Sequence, residues 1–369
     1  MRAMRAIVVA AVVAAAGAAH AYPQFQLSKD QTCSDCHLSP AGGGLLNENG
    51  LNTAEAISQL GTSASPFYGK VPLPSWFAFG GDVRGATGYY GGPNASAVLF
   101  PMQADLYAAA TVQNFSLHVT GGLTDPPYGG STASMFASRE HWLQWQQNAD
   151  GPDGLVVRAG RFMPVFGLRF VEHVDWDRRY GGTPLYGEAY GVAVEEIQPT
   201  WEVHATGFVH DPYQGTTELG NGATLYAEAR VTPATSIGIE GKLDVTPDDH
   251  KDYGGVTAKH FFATPGILVQ GEAELIHQKV DLGGHDDQAV AYVMGSYFLP
   301  YGLMVDLGLE TYEPDLHVRY LDQEGADLNV HWFATSHVEL ILINHFQMQE
   351  LGEGGLSSGY SLLQIHYRI

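Results

Sequence analysis

Two cysteines occur in the chain, three positions apart, in Thr32-Cys33-Ser34-Asp35-Cys36-His37. C-x-x-C-H is the pattern that attaches a c-type haem. Two thiols at this spacing each reach one vinyl group of the porphyrin. His37, adjacent to the second thiol, then lies under the iron as its proximal ligand. A redox dithiol and a structural disulfide are the competing uses of such a pair. The redox motif normally opens a helix in a βαβ unit, which the surrounding sequence does not resemble, and a disulfide leaves the histidine without a role. The expected cofactor is one covalent haem c on Cys33, Cys36 and His37.

The iron has a second face, and the sequence offers nothing for it nearby. Between residues 38 and 100 there is neither a Met nor a second His. Small electron-transfer cytochromes usually take their sixth ligand from one of these. The ligand must therefore come from farther along the chain, or the site is open to small molecules.

The first residues supply the export route that haem attachment requires. Arg2 and Arg5 precede an apolar run from Ala6 to Ala19, and Ala19-His20-Ala21 has the small-x-small form of a cleavage site. The run is too short to span a bilayer, so 1–21 reads as a secretory signal peptide. The net charge of −22 argues against nucleic acid as a partner and is compatible with cations, or with a plain solvated acidic surface. Losing Arg2 and Arg5 makes the mature chain more acidic still.

From Trp76 onward the pattern has period two. In Met304–Glu310, Val305, Leu307 and Leu309 share one face while Asp306 and Glu310 take the other. The last strand sets Gln364, His366 and Arg368 against Leu363, Ile365, Tyr367 and Ile369. About 16 such runs fill residues 75–369, among them 253–262, 288–297 and 360–369. Connections after even runs are short and those after odd runs are mostly long. Short turns on one side and long loops on the other mark an outer-membrane β-barrel. A soluble sandwich, or a barrel of eight to ten strands, explains neither the alternation of lengths nor a polar face opposite an apolar one on nearly every strand. The fold expected is all-β: a transmembrane antiparallel barrel of about 16 strands with a small N-terminal haem segment. The boundaries are 1–21 for the signal, 22–72 for the haem segment, with a short helix at 54–60, and 73–369 for the barrel. An even strand number puts both termini in the periplasm.

By strand parity His118, His204, His331, His337, His345 and His366 face the lumen. Without metal spacing they read as polar lining. The third external loop, 162–186, is the longest and carries or adjoins Arg161, Met163, Arg169, His173, Arg178 and Arg179. General porins fold their third loop inward. By that analogy Met163 or His173 is a candidate sixth ligand.

The stretch from Cys33 through Pro40, Leu46, Asn47 and Gly50 resembles the monohaem segment C-x-x-C-H…P…L-N-x-x-G of several outer-membrane cytochromes. Joined to a porin-like barrel, it resembles the outer-membrane cytochrome–porin fusions, of which the iron-oxidising cytochromes are the best known. That resemblance implies electron transfer across the bacterial outer membrane. The donor would be extracellular Fe(II) or another redox partner, the acceptor a periplasmic electron carrier, and the activity that of an iron oxidase. A passive diffusion porin with a structural haem plug, and a haem enzyme or gas sensor with an open sixth site, remain alternatives.

Overall fold

The computed structural model describes residues 23–29, 31–92, 95–123, 136–149, 151–170, 176–183, 187–211, 220–247, 249–280, 284–319, 321–351 and 354–369. The expected signal peptide and His173 lie outside the described residues.

Sixteen antiparallel strands close into one barrel. They are β1 (Phe77–Gly91), β2 (Ser96–Val112), β3 (Phe115–Leu123), β4 (Phe136–Gln146), β5 (Gly154–Phe162), β6 (Ala189–Gln198), β7 (Trp201–Val209) and β8 (Asn221–Thr232). The second half comprises β9 (Thr235–Val245), β10 (Asp249–Phe262), β11 (Ile267–Val280), β12 (Gly284–Leu299), β13 (Leu303–Glu313), β14 (Gln323–Thr335), β15 (Val338–Leu351) and β16 (Gly354–Arg368). Each strand pairs with its chain neighbours, and β16 returns to β1 with Asp82 opposite Arg368 and Gly91 opposite Gly359.

The alternation that builds these strands is inverted relative to a water-soluble sheet. On β9, Ser236, Glu240, Lys242 and Asp244 are buried while Ile237, Ile239, Leu243 and Val245 are exposed. Aliphatic side chains on the outside are stable only in hydrocarbon, and a closed barrel leaves no unpaired backbone edge there. Trp76, Phe115, Trp201, Tyr301 and Trp332 are exposed near the end that holds both termini, as an aromatic girdle at the membrane boundary would be. The wall is thus a transmembrane barrel of outer-membrane type. No helix among the described residues is long and apolar enough to cross a membrane.

Several strands outrun their sequence pattern. β10 starts at Asp249, β12 at Gly284 and β16 at Gly354, each ahead of the expected 253, 288 and 360. Beyond the lipid both faces of a hairpin are polar, so the apolar alternation stops while backbone pairing continues. The exposed His250–Asp252 and His277–Asp287 pairs sit in these extensions. The connections after β9, β11 and β15 are correspondingly tight, at 246–248, 281–283 and 352–353, so long external loops are fewer than expected.

Two pieces of chain enter the lumen. The loop after β5 turns inward, as expected, and bonds to lumen-facing side chains of the opposite wall. Trp176 N–H donates to Glu310 Oε2 (2.9 Å), Gly182 N–H to Glu274 Oε2 (3.0 Å) and Leu168 N–H to the Glu272 carboxylate. Its Leu168 and Phe170 pack on Tyr292 and Met294, and Trp176 at the start of the short helix α2 (Trp176–Arg179) packs on Ile276 and Val290. The N-terminal segment occupies the end near the termini. Phe25 packs with Ile57, Met304 and Phe333, and Lys259 Nζ donates to Gln26 Oε1 (2.6 Å). Gln59 N–H bonds to Phe333 O (2.9 Å), and His337 Nε2 meets Ser63 O (2.8 Å).

A row of alternating acids and imidazoles crosses the closing seam: Asp306–His331 (3.2 Å), His331–Glu339 (2.9 Å), Glu339–His366 (3.1 Å) and His366–Asp82 (2.7 Å). All six lumen histidines expected from parity are buried or nearly so on this inner face.

Leu307, exposed on the outer face of β13, tests the lipid-facing assignment. Leu307→Arg is expected to destabilise the barrel in bilayers by about 2–4 kcal/mol, the cost of a mid-membrane charge on a barrel's lipid face. Denaturant titration of liposome-folded protein measures it. An unchanged midpoint would contradict the outward placement.

Candidate functional site

Cys33–Asp35 forms one 3-10 turn. Asp35 Oδ2 accepts from Thr32 N–H (2.6 Å) and Thr32 Oγ1 (3.0 Å), and His37 N–H closes the turn on Cys33 O (3.0 Å). His37 then pairs with Leu46 in an isolated antiparallel bridge, which brings the glycine-rich stretch back beside the imidazole. Gly43 takes φ +73°, a left-handed conformation that suits glycine, and its carbonyl meets His37 Nδ1 at 2.9 Å.

Asn47 and Gly50, the N and G of the L-N-x-x-G run, have definite work. The helix α1 (Glu48–Ile57) begins at Glu48, earlier than the expected 54–60, because Asn47 caps it: Asn47 Oδ1 accepts from Gly50 N–H (2.9 Å). The same side chain donates from Nδ2 to Ser34 O (3.0 Å), and Asn47 N–H donates to Cys36 O (3.0 Å). Gly50 lies so close beneath the motif that a Cβ there would sit 2.1 Å from Cys36 O. The helix is thereby locked onto the C-x-x-C-H turn.

Cys33, Cys36 and His37 open onto a cavity of about 850 Å³ between the N-terminal segment, the inturned loop and the lumen wall. That volume falls among cavities that enclose a cofactor-sized molecule, about 300–1,000 Å³. In this acidic chain the wall is rich in arginine: Arg84, Arg139, Arg158, Arg169, Arg178 and Arg368 all line it. Arg169 ties the loop to the segment by donating to Ala41 O (3.3 Å) and to the wall by donating to Glu202 Oε1 on β7 (2.7 Å).

The residues fit a covalent haem. Both cysteines are free thiols. Burial, with Asp35 adding to it, pushes the Cys36 thiol up to about 11, and burial raises Cys33 as well. A redox dithiol needs a depressed thiol instead, so that use fits poorly. Burial pulls His37 down to about 4, which leaves the imidazole neutral at ordinary pH. With Nδ1–H donating to Gly43 O, the lone pair sits on Nε2, the tautomer of a metal-ligating histidine. Arginines in the wall suit the carboxylates of the porphyrin edge.

Met163 lines the same cavity, while its backbone N–H donates to Glu140 Oε1 (3.2 Å). Arg161 and Arg179 stand apart from it. Arg161 is buried against Asp211 (2.7 Å), and Arg179 lies over the Tyr180 ring. Met102, which the sequence did not single out, and His118, expected on the lumen face, line the cavity too. His118 Nε2 bonds to Ser116 Oγ (2.8 Å), and the ring stacks on Trp142. His337 and His366 also reach the cavity, but each engages both ring nitrogens.

No family model and no curated protein matches the chain. Solved structures do. OmpT of Vibrio cholerae aligns with a TM-score of 0.62 at 14% identity, covering 81% of this chain and 100% of that one. An anion-selective porin from Comamonas acidovorans gives 0.60 at 13%, covering 79% and 99%. OprB of Pseudomonas putida gives 0.58 at 13%, covering 79% and 94%. At these identities the likeness is one of fold: a porin-like barrel, of the kind that stands in the bacterial outer membrane.

Gly50→Ala tests the lock between α1 and the motif turn. Overpacking of this kind typically costs about 1–3 kcal/mol. The variant is expected to be cut faster within residues 23–72 under limited proteolysis, with the barrel intact by mass spectrometry. Cutting at the wild-type rate would contradict the close approach.

Proposed function

We propose that this plugged, porin-like barrel holds one covalent haem c on Cys33, Cys36 and His37 and passes single electrons across the outer membrane. The donor is an extracellular reductant of the ferrous-iron class and the acceptor a periplasmic carrier. One observation carries the reading: the three C-x-x-C-H side chains open together onto one cavity of cofactor size, with His37 Nδ1 already held by Gly43 O.

Each set of residues has a part in this reading. Cys33 and Cys36 fix the cofactor covalently, and haem supplies a one-electron couple when bound. His37 presents Nε2 to the metal. Gly43 O holds that ring in place and raises its basicity. The inturned loop and the N-terminal segment narrow the lumen, which limits water around the site. The acidic chain concentrates cations at its mouth. Met163 stands as the candidate for the sixth position.

A second reading is a diffusion channel in which the N-terminal segment is only a plug. The similar solved structures speak for it at least as well, since they are porin-like barrels and one is an anion-selective porin.

Two measurements separate the readings. A reduced-minus-oxidised visible spectrum of the purified protein is expected to show covalent c-type haem that Cys33→Ala with Cys36→Ala removes. In stopped flow, ferrous iron is expected to reduce that haem. A spectrum without haem removes the electron-transfer reading. No reduction at a useful rate removes ferrous iron as donor. Porin-level conductance in bilayers, unchanged by the cysteine substitutions, would establish the channel instead.

Met163→Leu keeps the side-chain volume and removes the thioether. The variant is expected to bind carbon monoxide in the reduced state where the wild type does not. Equal binding by both proteins would remove Met163 from the sixth position.

A further inference from the structure

Outside the cavity lining, three lumen-facing side chains on consecutive strands converge: Glu310 on β13, Asp327 on β14 and His345 on β15. Each offers one ligand atom, and all three atoms lie within 4.8 Å of one another. All three residues are buried, at 5%, 2% and 6% exposure. We infer that Glu310, Asp327 and His345 bind one divalent first-row transition-metal ion on the lumen wall, beside Trp176 of the inturned loop.

The separations suit a shared ion. His345 Nδ1 is 3.4 Å from Glu310 Oε1, and its 2.8 Å hydrogen bond to Asp327 Oδ1 has to lengthen by only a few tenths of an ångström to admit an ion. Ligands about 2.1 Å from one metal stand about 3.0–3.4 Å apart in octahedral or tetrahedral arrangements. Glu310 Oε1 and Asp327 Oδ2 are buried with no hydrogen-bond partner, so two acceptor atoms of the group remain unsatisfied. An unmet buried acceptor is costly, and a cation is what such atoms lack.

Charge points the same way. Among the described residues, the one ion-pair partner of either carboxylate is His345. When both carboxylates are ionised, even a protonated imidazole leaves a net negative charge, and a divalent ion removes it. Outer contacts already orient the donors. His345 Nε2 lies 3.3 Å from Gln347 Oε1, so an N–H there leaves the Nδ1 lone pair toward the carboxylates. Glu310 Oε2 accepts from Trp176 N–H (2.9 Å), which turns Oε1 toward His345. Two carboxylates with one imidazole suit Mn(II), Fe(II), Co(II) or Zn(II) better than a soft ion that prefers thiolate.

None of the three residues lines the C-x-x-C-H cavity, although β14 and β15 also contribute to its wall, and the inference stands with either reading of function. It is absent from the sequence pattern because strand parity gives the face of each residue but not its height. Only the register sets Asp327 opposite His345 and Gly308, with Glu310 one step along the inner face of β13.

The test uses the full chain in detergent, stripped with chelator and titrated with Mn(II) and Zn(II), so that cofactor iron is not counted. Calorimetry is expected to give one saturable ion per chain. Pulsed EPR of bound Mn(II) is expected to show modulation from a single imidazole nitrogen. Asp327→Asn and His345→Gln are each expected to weaken binding at least about tenfold, while the heat-shifted gel migration of a folded barrel is retained. The EPR result on the wild type holds even for a variant that fails to fold. No saturable ion, no nitrogen modulation, or unchanged affinity in a folded variant overturns the inference.

Discussion

Hydrocarbon offers no water to bond a free N–H or C=O, and nearly everything in this molecule follows from that. The wall must pair every strand on both sides, so β16 has to find β1, and the sheet becomes a tube. A tube in lipid turns its aliphatic residues outward and keeps its charges inside. This is why the buried surface here is one of glutamates, aspartates, histidines and arginines. It is also why these groups meet one another. Arg158 pairs with Glu195 at 2.7 Å, and His204 with the same carboxylate at 2.9 Å. Apart from the small apolar clusters under the two inserted pieces of chain, the lumen is organised by charge pairing.

The same constraint explains how the lumen accommodates two foreign pieces of chain. A loop or a plug inside the tube needs partners for its backbone, and the polar inner face supplies them. Glu272, Glu274 and Glu310 take N–H groups from the inturned loop, and Lys242 gives a bond to Gly182 O at 2.9 Å. The N-terminal segment is met by Lys259, by the β14–β15 turn and by a small aromatic cluster around Phe25. Between these pieces the arginine-rich cavity is left over. Its position is set by where the two inserts stop.

What the sequence made legible divides along the same physical lines. Period-two alternation is a local property of each strand, so strand number, strand faces and the inward side of His118, His204 and His331 could be read directly. The ends of β10, β12 and β16 could not, because the pattern that marks a strand disappears where lipid ends and pairing goes on. C-x-x-C-H is contiguous and legible for that reason. The roles of Asn47 and Gly50 are not local, since they depend on helix α1 packing against the Cys36 carbonyl. Met102 was passed over because its distance from Cys33 along the chain says nothing of their shared cavity. The grouping of Glu310 with Asp327 and His345 is likewise a product of register.

The order of the chain carries a consequence for assembly. The segment that ends up inside the tube comes first in the sequence, and the seam that shuts the tube joins the first strand to the last. Residues 23–72 therefore reach the lumen either by being enclosed as the wall closes or by docking through the end that holds the termini. Once β16 has docked on β1, that end is the passage left to them. Any group carried on Cys33 and Cys36 has to pass the same opening, so its size sets which of the two orders of assembly is available.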